Sequence, residues 1–480
     1  KEQYLAEKTM TGRLHLHMEQ GYEGPPWAFQ DEKFITTNET TFSCSKCHVY
    51  WDKAKQATEK EFYDFLDGTT ERFLPSKNRA LRHRNGETLF AALEKGQNVG
   101  IASGFKPSGA YHFGHKLISS AVAFFQKIGT QIFVPVADLE CMFDKKIDQE
   151  KSRFWAADNL VDWGANGVDL DASHVYLQSE EFRVSNLAYL LARGITFDLA
   201  VDTYGLEKLC GNSEKVEDKG EFPFLFAGIT QVGDIVLPQH NDFRNDYSFM
   251  LSGQDQDGHM KMTVELVKRS LEQGVTLPGI KNIPSGLYIP HIRGLTGNKQ
   301  SSSRVEGTLY LGPGPNSLDL DGRIANAHRI IDKERLENPE ATERCALDMV
   351  KYIGYFNAIS KIDLPLQALK IKSEIHEISP ANLDSYLIGE SKKSGQDNVA
   401  ILRNNIADAL KEHQQKRAEV IRYAIQRSEL KDSGAWSSDQ AYPEKPSFWN
   451  VPSKAVVDET RRNATKWYDM VAAMKERLIA

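Results

Sequence analysis

Two imidazoles three residues apart, His112 and His115 in the segment GFKPSGAYHFGHK (104–116), are the side chains best placed to do chemistry. A Pro-Ser-Gly turn precedes them and an apolar run suited to a helix follows. The preceding Val99–Ser103 reads as a short buried strand, so the whole is strand, turn, helix. A helix start offers free backbone N–H groups and the positive end of a dipole, which suits phosphate. Side chains at i and i+3 share one face of the first turn, so both rings can point at the same phosphate. Gly114 leaves room for a flat ring to approach the backbone. The same spacing also suits a histidine that merely caps its helix. A second segment, GLTGNKQSSS (294–303), favours phosphate. It is a Gly-flanked loop whose Lys299 and three serines, Ser301, Ser302 and Ser303, can deliver a cation and hydroxyl donors.

The elements that must position these groups follow from periodicity. Strand Val99–Ser103 leads to helix His112–Ile128, strand Gln131–Ala137, helix Gln149–Trp163 and strand His174–Gln178. Two or three helices fill 180–240, then strand Tyr247–Ser252, helix His259–Glu272 and strand Leu287–Ile292 follow. Strands alternating with helices predict a parallel sheet with ligands at the carboxyl ends of its strands. The H-x-G-H turn, the Asp138–Glu140 turn and the Gly253–Gln256 turn all fall at those ends. The segment RALRHRNGETLFAALEKG (79–96) reads as a basic stretch and a helix ending at Gly96. EKEFYDFLD (59–67) suits an amphipathic helix. Residues 325–425 read as helical, and Lys411, Lys416, Arg417 and Arg422 of the long run from Asn398 suit a solvated face. Residues 432–456 read as a tether before a final helix, Asp458–Leu478.

Composition bounds the class. At 480 residues the chain has room for several domains, and 40% hydrophobic with 26% charged content is that of a soluble globular protein. A net charge of −7 excludes a protein basic throughout but not a local basic stripe. Apolar runs such as AVAFF (121–125) are too short to cross a bilayer, and KEQYLAEKTM lacks the apolar core of a secretory signal. Five cysteines suit a reducing, cytoplasmic setting, with neither membrane nor DNA expected as a partner. Cys44, Cys47 and His48 in CSKCH contain half of a zinc site, to be completed by His48, by His15 or His17, or by another ligand; two reduced thiols would fit the same segment.

PSGAYHFGHK and KQSSS, in this order and on this architecture, resemble the HIGH and KMSKS motifs of the class I aminoacyl-tRNA synthetases. GQDQ (253–256) is similar to the G-x-D-Q pattern of the tyrosine/tryptophan subgroup, and VADLECM (136–142) to the A-D-x-E segment of its archaeal-type tryptophan members. The resemblance covers about 78–425. It implies an α/β fold: a Rossmann-like parallel-sheet catalytic domain over 76–315, followed by an all-helical tRNA- and anticodon-binding domain over 316–430. A small appended region over 1–75 and a linker with a terminal helix over 431–480 lie outside it.

The implied activity is tryptophan–tRNA ligation: L-tryptophan, ATP and Mg²⁺ give an adenylate, whose acyl group passes to tRNA(Trp). Family members are usually homodimers, and cytoplasmic. The resemblance makes His112, His115 and Lys299 catalytic. It assigns ATP to Gly104, Pro107, Ser108, Gly114, Gly253, Asp255 and Ser301 to Ser303, and the amino acid to Glu140, Gln231 and Gln256. Several positions depart from the pattern. Ala102 and Pro135 stand where eukaryotic relatives carry Tyr and Gln, Gln300 replaces the loop Met, and Ser302 replaces its second Lys. Tyrosine or a non-standard substrate therefore stays open. The same motifs also fit a nucleotidylyltransferase, or a synthetase-like paralogue that binds RNA or an amino acid without charging tRNA. For tRNA contact the C-terminal helices and the basic segment Lys77–Arg84 are the candidate surfaces.

Overall fold

The computed structural model describes residues 43–44, 49–50, 54–57, 81–86, 88, 92, 95–204, 222–349, 398–432, 443–449 and 467–479, apart from 128, 145–146, 290, 303–305, 315–318 and 347–348. Cys47, His48, Ser303 and the 59–67 segment lie outside the described residues, and of Cys44 only the backbone is described.

The described residues fall into two compact units. Those within Lys1–Phe62, Lys77–Gly100 and Arg183–Pro290 form the first; those within Ile101–Phe182 and His291–Ala480 form the second. In the first unit a two-residue pair, β1 (Ser43–Cys44) and β2 (Val49–Tyr50), is antiparallel. The larger array runs β3 (Ala54–Ala57), β4 (Leu81–Arg84), β9 (Ser285–Ile289), β8 (Tyr247–Gly253) and the start of β5 (Val99–Ala102). β8 and β9 are parallel with Leu251 opposite Leu287, whereas β3 and β4 pair antiparallel and add a mixed edge. The described part of the basic segment, Leu81–Arg84, is thus a strand. Arg84 is buried in it beside His83, and donates through Nε and Nη2 to both oxygens of Asp257 (2.9 and 2.7 Å). Gly96, at φ +67°, supplies the left-handed turn after the short segment that follows.

The first unit's described helices are α4 (Phe182–Ala192, entering from its first residue), α5 (Phe197–Tyr204), α6 (Phe222–Val236) and α7 (Asp257–Glu272). α7 follows β8 directly, so the 3-10 turn Gln254–Gln256 sits at the carboxyl end of that strand.

In the second unit the end of β5 is followed by β6 (Gln131–Val136) and β7 (Ser173–Leu177), with Val134 opposite Val175 in parallel register. α1 (Phe113–Lys127) connects β5 to β6; α2 (Asp138–Asp144) and α3 (Gln149–Ala165) connect β6 to β7. β6 and β7 are buried along nearly their whole length, as expected of strands covered on both faces. Pro135 is tolerated inside β6 because β5 has already ended at Ala102. The chain continues beside it with Ser103 N donating to Phe133 O (3.0 Å) and Phe105 N to Pro135 O (3.1 Å). Gly104 is required there, since a Cβ would come within 1.9 Å of the Pro135 carbonyl oxygen.

Helices α8 (Leu320–Glu337), α9 (Asn398–Asp432), α10 (Trp467–Ala473) and α11 (Lys475–Ile479) follow. Asp148 and Asp319 cap α3 and α8, accepting from Lys151 N and Gly322 N (both 2.8 Å). Trp449 and Trp467 tie the C-terminal segment down: their indole N–H groups donate to Gly164 O (2.9 Å) and Asp171 Oδ1 (3.0 Å). Arg417 of α9 is buried between acidic partners rather than lying on a solvated face. Among the described residues no single helix is long and apolar enough to cross a membrane.

Candidate triphosphate-binding site

His112 is the residue before α1, and its ring folds back on the helix it starts. Nδ1 accepts from Gly114 N at 3.1 Å, a side-chain cap on the second helical amide. The absence of a side chain at Gly114 allows this, because a Cβ would lie 2.9 Å from His112 Cε1. Phe113 N donates instead to Leu309 O (3.2 Å), and His115 N to His112 O (2.9 Å). The amides expected to meet a phosphate are therefore spent within the protein, and the rings are left to do so.

The two rings stack at 3.8 Å and 20°. Burial and the neighbouring Lys299 charge push the His115 pKa down to about 4, and burial with the His115 and Lys299 charges pushes that of His112 well below its usual value. Both are neutral near pH 7. With Nδ1 accepting, His112 holds its proton on Nε2 and can donate it outward.

The lysine-serine loop lies against this turn. Ser302 Oγ donates to Ala110 O (3.0 Å), and a Cβ on Gly109 would be 2.9 Å from Ser302 Cβ. Gln300, buried, takes the Met position, with its backbone N 3.4 Å from Ile292 O. Gly294 N donates to Asn298 O (2.6 Å) and Leu295 N to Gly307 O (2.8 Å), which closes the loop on itself. The chain leaving it pairs antiparallel with the turn, His112 opposite Tyr310. Lys299 is exposed on the loop.

The remaining candidate residues divide between the units. In the second, Pro107 is buried and Ser108 partly buried in the turn before His112. Glu140, in the first turn of α2, is ion-paired with Lys106 at 2.7 Å, a partner that sequence reasoning missed although it stands inside the GFKPSG segment. In the first, Gln231 Nε2 of α6 donates to Gln256 Oε1 (3.0 Å), so these two meet across 25 residues. Gly253 is the buried last residue of β8, and Asp255 is exposed in the turn after it. Among the described residues no group of three His, Cys, Asp or Glu is placed to hold a metal ion.

Residues 94–319 match the family model for class I tRNA synthetases (W and Y). The chain is similar to the tryptophan–tRNA ligase of Methanocaldococcus jannaschii, 31% identical over 242 residues, covering 49% of this chain and 60% of that one. It is 30% identical over 236 residues to that of Hyperthermus butylicus, covering 48% and 58%. The chain thus spans about three fifths of the length of these curated relatives. In fold it is similar to the crystal structure of the tryptophanyl-tRNA synthetase of Aeropyrum pernix, with a TM-score of 0.51 and 21% identity over 76% of this chain and 87% of that one. The strand–turn–helix with its paired histidines, the loop docked on it and these matches point the same way: residues 94–319 are similar to the class I tRNA synthetases (W and Y).

Proposed function

We propose that this chain is a tryptophan–tRNA ligase. One observation carries the reading: the Lys299 loop is packed on the His112–His115 turn through Ser302 and Ala110, so a cation, hydroxyls and two neutral imidazoles surround one place. The two named relatives support tryptophan as the substrate.

In the first step a carboxylate oxygen of tryptophan attacks the α-phosphorus of ATP, the bond to pyrophosphate breaks, and pyrophosphate leaves; Mg²⁺, when bound, would help to neutralise its charge. Phosphoryl-type transfer needs alignment and neutralisation of developing charge more than covalent help. His112 Nε2–H and the His115 ring donate to the phosphates, and Lys299 neutralises the departing pair. Ser301, Ser302 and Ser303 add hydroxyl and backbone donors. Gly104, Pro107, Ser108 and Gly114 shape the turn under the nucleotide, while Gly253 and Asp255 serve its ribose and the substrate amino group. Glu140 accepts the indole N–H, the ring's single donor, and the resemblance assigns Gln231 and Gln256 to the amino acid as well. In the second step a ribose hydroxyl of tRNA(Trp) attacks the acyl carbon and AMP leaves. The C-terminal helices supply the tRNA surface, in a cytoplasmic homodimer.

ATP–pyrophosphate exchange tested with each amino acid in turn decides this. Exchange with tryptophan alone supports it; exchange with tyrosine moves the specificity; none with any amino acid defeats it. His115→Ala is expected to slow adenylate formation by about 10²–10³-fold, the usual cost of one preorganised donor. A near-normal single-turnover rate would make that histidine structural. Zinc at Cys44, Cys47 and His48 is a separate proposal. Stoichiometric metal resisting chelator supports it, and metal-free protein with unchanged circular dichroism removes it.

A further inference from the structure

The C-terminal helices reach the histidine turn through a buried polar cluster. Asp158 and Asp162 stand one turn apart on α3, both fully buried. Arg417 of α9 donates to Asp158 Oδ1 at 2.6 Å and also to Asp162. His413, one turn before it on α9, donates from Nε2 to Asp162 Oδ1 at 2.7 Å. Its ring lies parallel to that of Tyr111 (6.0 Å, 6°), and Tyr111 meets the His115 ring at 5.4 Å. Tyr111 is wholly buried, with its hydroxyl 2.5 Å from Ser119 Oγ.

The same cluster holds the chain that returns from the lysine-serine loop. Leu311 N and Gly312 N donate to Tyr111 O (3.0 and 3.3 Å). Arg323 of α8 donates to Leu311 O and, through Nη1, to Gln414 Oε1 of α9 (2.8 Å). Gly312 has no space for a side chain, since a Cβ would lie 2.9 Å from Asp162 Oδ2. Two aspartates face two arginines, so the charges balance. Removing one member leaves a buried charge or donor without its partner. Such a cluster is costly glue, because apolar side chains of the same volume hold helices together at least as well. What it adds is geometry.

We propose that His413 and Arg323 are positioning residues for adenylate formation. His413 sets the His115 ring through Tyr111, and Arg323 sets the returning strand of the lysine-serine loop through Leu311. The helices C-terminal to residue 319 thereby fix the spacing between the two halves of the triphosphate site. This rests on the ligase reading above and adds to it a link from the helical part of the chain to the reacting groups.

The test uses the full chain and leaves Arg417 intact, because Arg417→Met would strand two buried aspartates and endanger folding. His413→Leu and Arg323→Met are measured in single turnover, alongside burst titration of active sites, tryptophan affinity and thermal unfolding. Each is expected to lower the rate per active site by about tenfold or more while tryptophan affinity stays within about twofold. His413→Phe, which keeps a ring against Tyr111, is expected to recover most of the His413 loss. Tyr111→Leu combined with His413→Leu should be no slower than Tyr111→Leu alone, since the effect passes through one ring. An unchanged rate per active site with only a lowered unfolding temperature overturns the proposal. So does His413→Phe no faster than His413→Leu, or a double variant whose losses multiply. ATP affinity by calorimetry separates this outcome from failure of the ligase reading. If the wild-type chain binds ATP but exchanges with no amino acid, it is the ligase reading that fails, and weaker ATP binding by His413→Leu then still tests the positioning.

Discussion

His112 spends one ring nitrogen on its own helix, and in the proposed site the other donates to the ligand, so a single side chain would serve as cap and donor. Lys106 and Glu140 divide their work in a similar way. Glu140 gives Oε1 to Lys106 at 2.7 Å, and in the proposed site it is Oε2 that accepts from the substrate ring. Both side chains are about a quarter exposed (24% and 23%), so solvent screens the pair and it contributes at most about 1 kcal/mol to stability. Its value is orientation: the cation holds the carboxylate turned one way. Lys106→Met is therefore expected to leave the unfolding midpoint nearly unchanged and to raise the KM for tryptophan by about tenfold, with the KM for ATP unmoved. Equal changes for both substrates would place the pair outside the amino-acid slot.

Between elements, the docking of the lysine-serine loop on the 107–110 turn depends on two small residues. Gly109 has an ordinary negative φ, so alanine is allowed by its backbone, but the new Cβ would sit 2.9 Å from Ser302 Cβ. Gly109→Ala should push the loop off the turn and slow adenylate formation. Adding Ser302→Gly removes the colliding atom and should restore part of the rate, despite losing the 3.0 Å bond to Ala110 O. A double variant as slow as Gly109→Ala alone would show that contact to be incidental. The β5–α1–β6 segment and the adjacency of its motifs were legible because their signals are local: apolar runs of strand length, turn residues and a helix period. Strand β4, paired between β3 and β9, was not. Its RHR sequence reads as basic surface, and only Asp257, 173 residues further along, makes a buried strand position of Arg84. Arg417 misleads for the same reason, with partners on α3 some 259 residues away. Lys106 was within reach, since it stands in the motif itself, but its partnership with Glu140 needs the fold to bring α2 beside it.

For the molecule as a whole, stability is tied to histidines that fold in the neutral form. Burial pushes the His413 pKa down to about 4; the Lys116 and Arg417 charges act the same way, while Asp162 opposes them. In the unfolded chain the same ring titrates near 6.5. Between those values the unfolded state binds more protons, so this site's contribution to stability rises with pH from about 4 to 6.5 and is level above. Asp158, pushed up to about 6 by burial, works in the opposite sense, so the wild-type profile alone mixes the two. The comparison with His413→Phe isolates the ring. At pH 7.5 the variant should be the less stable, because it loses the 2.7 Å bond to Asp162. As pH falls from 6.5 toward 4, the wild type bears the cost of keeping His413 neutral and the variant does not. The gap should narrow by at most about 1.4 kcal/mol per pH unit. Chemical denaturation at pH 7.5, 6.0 and 5.0 measures it, and a gap that stays constant or widens toward acid would mean that His413 is protonated in the folded state and salt-bridged to Asp162.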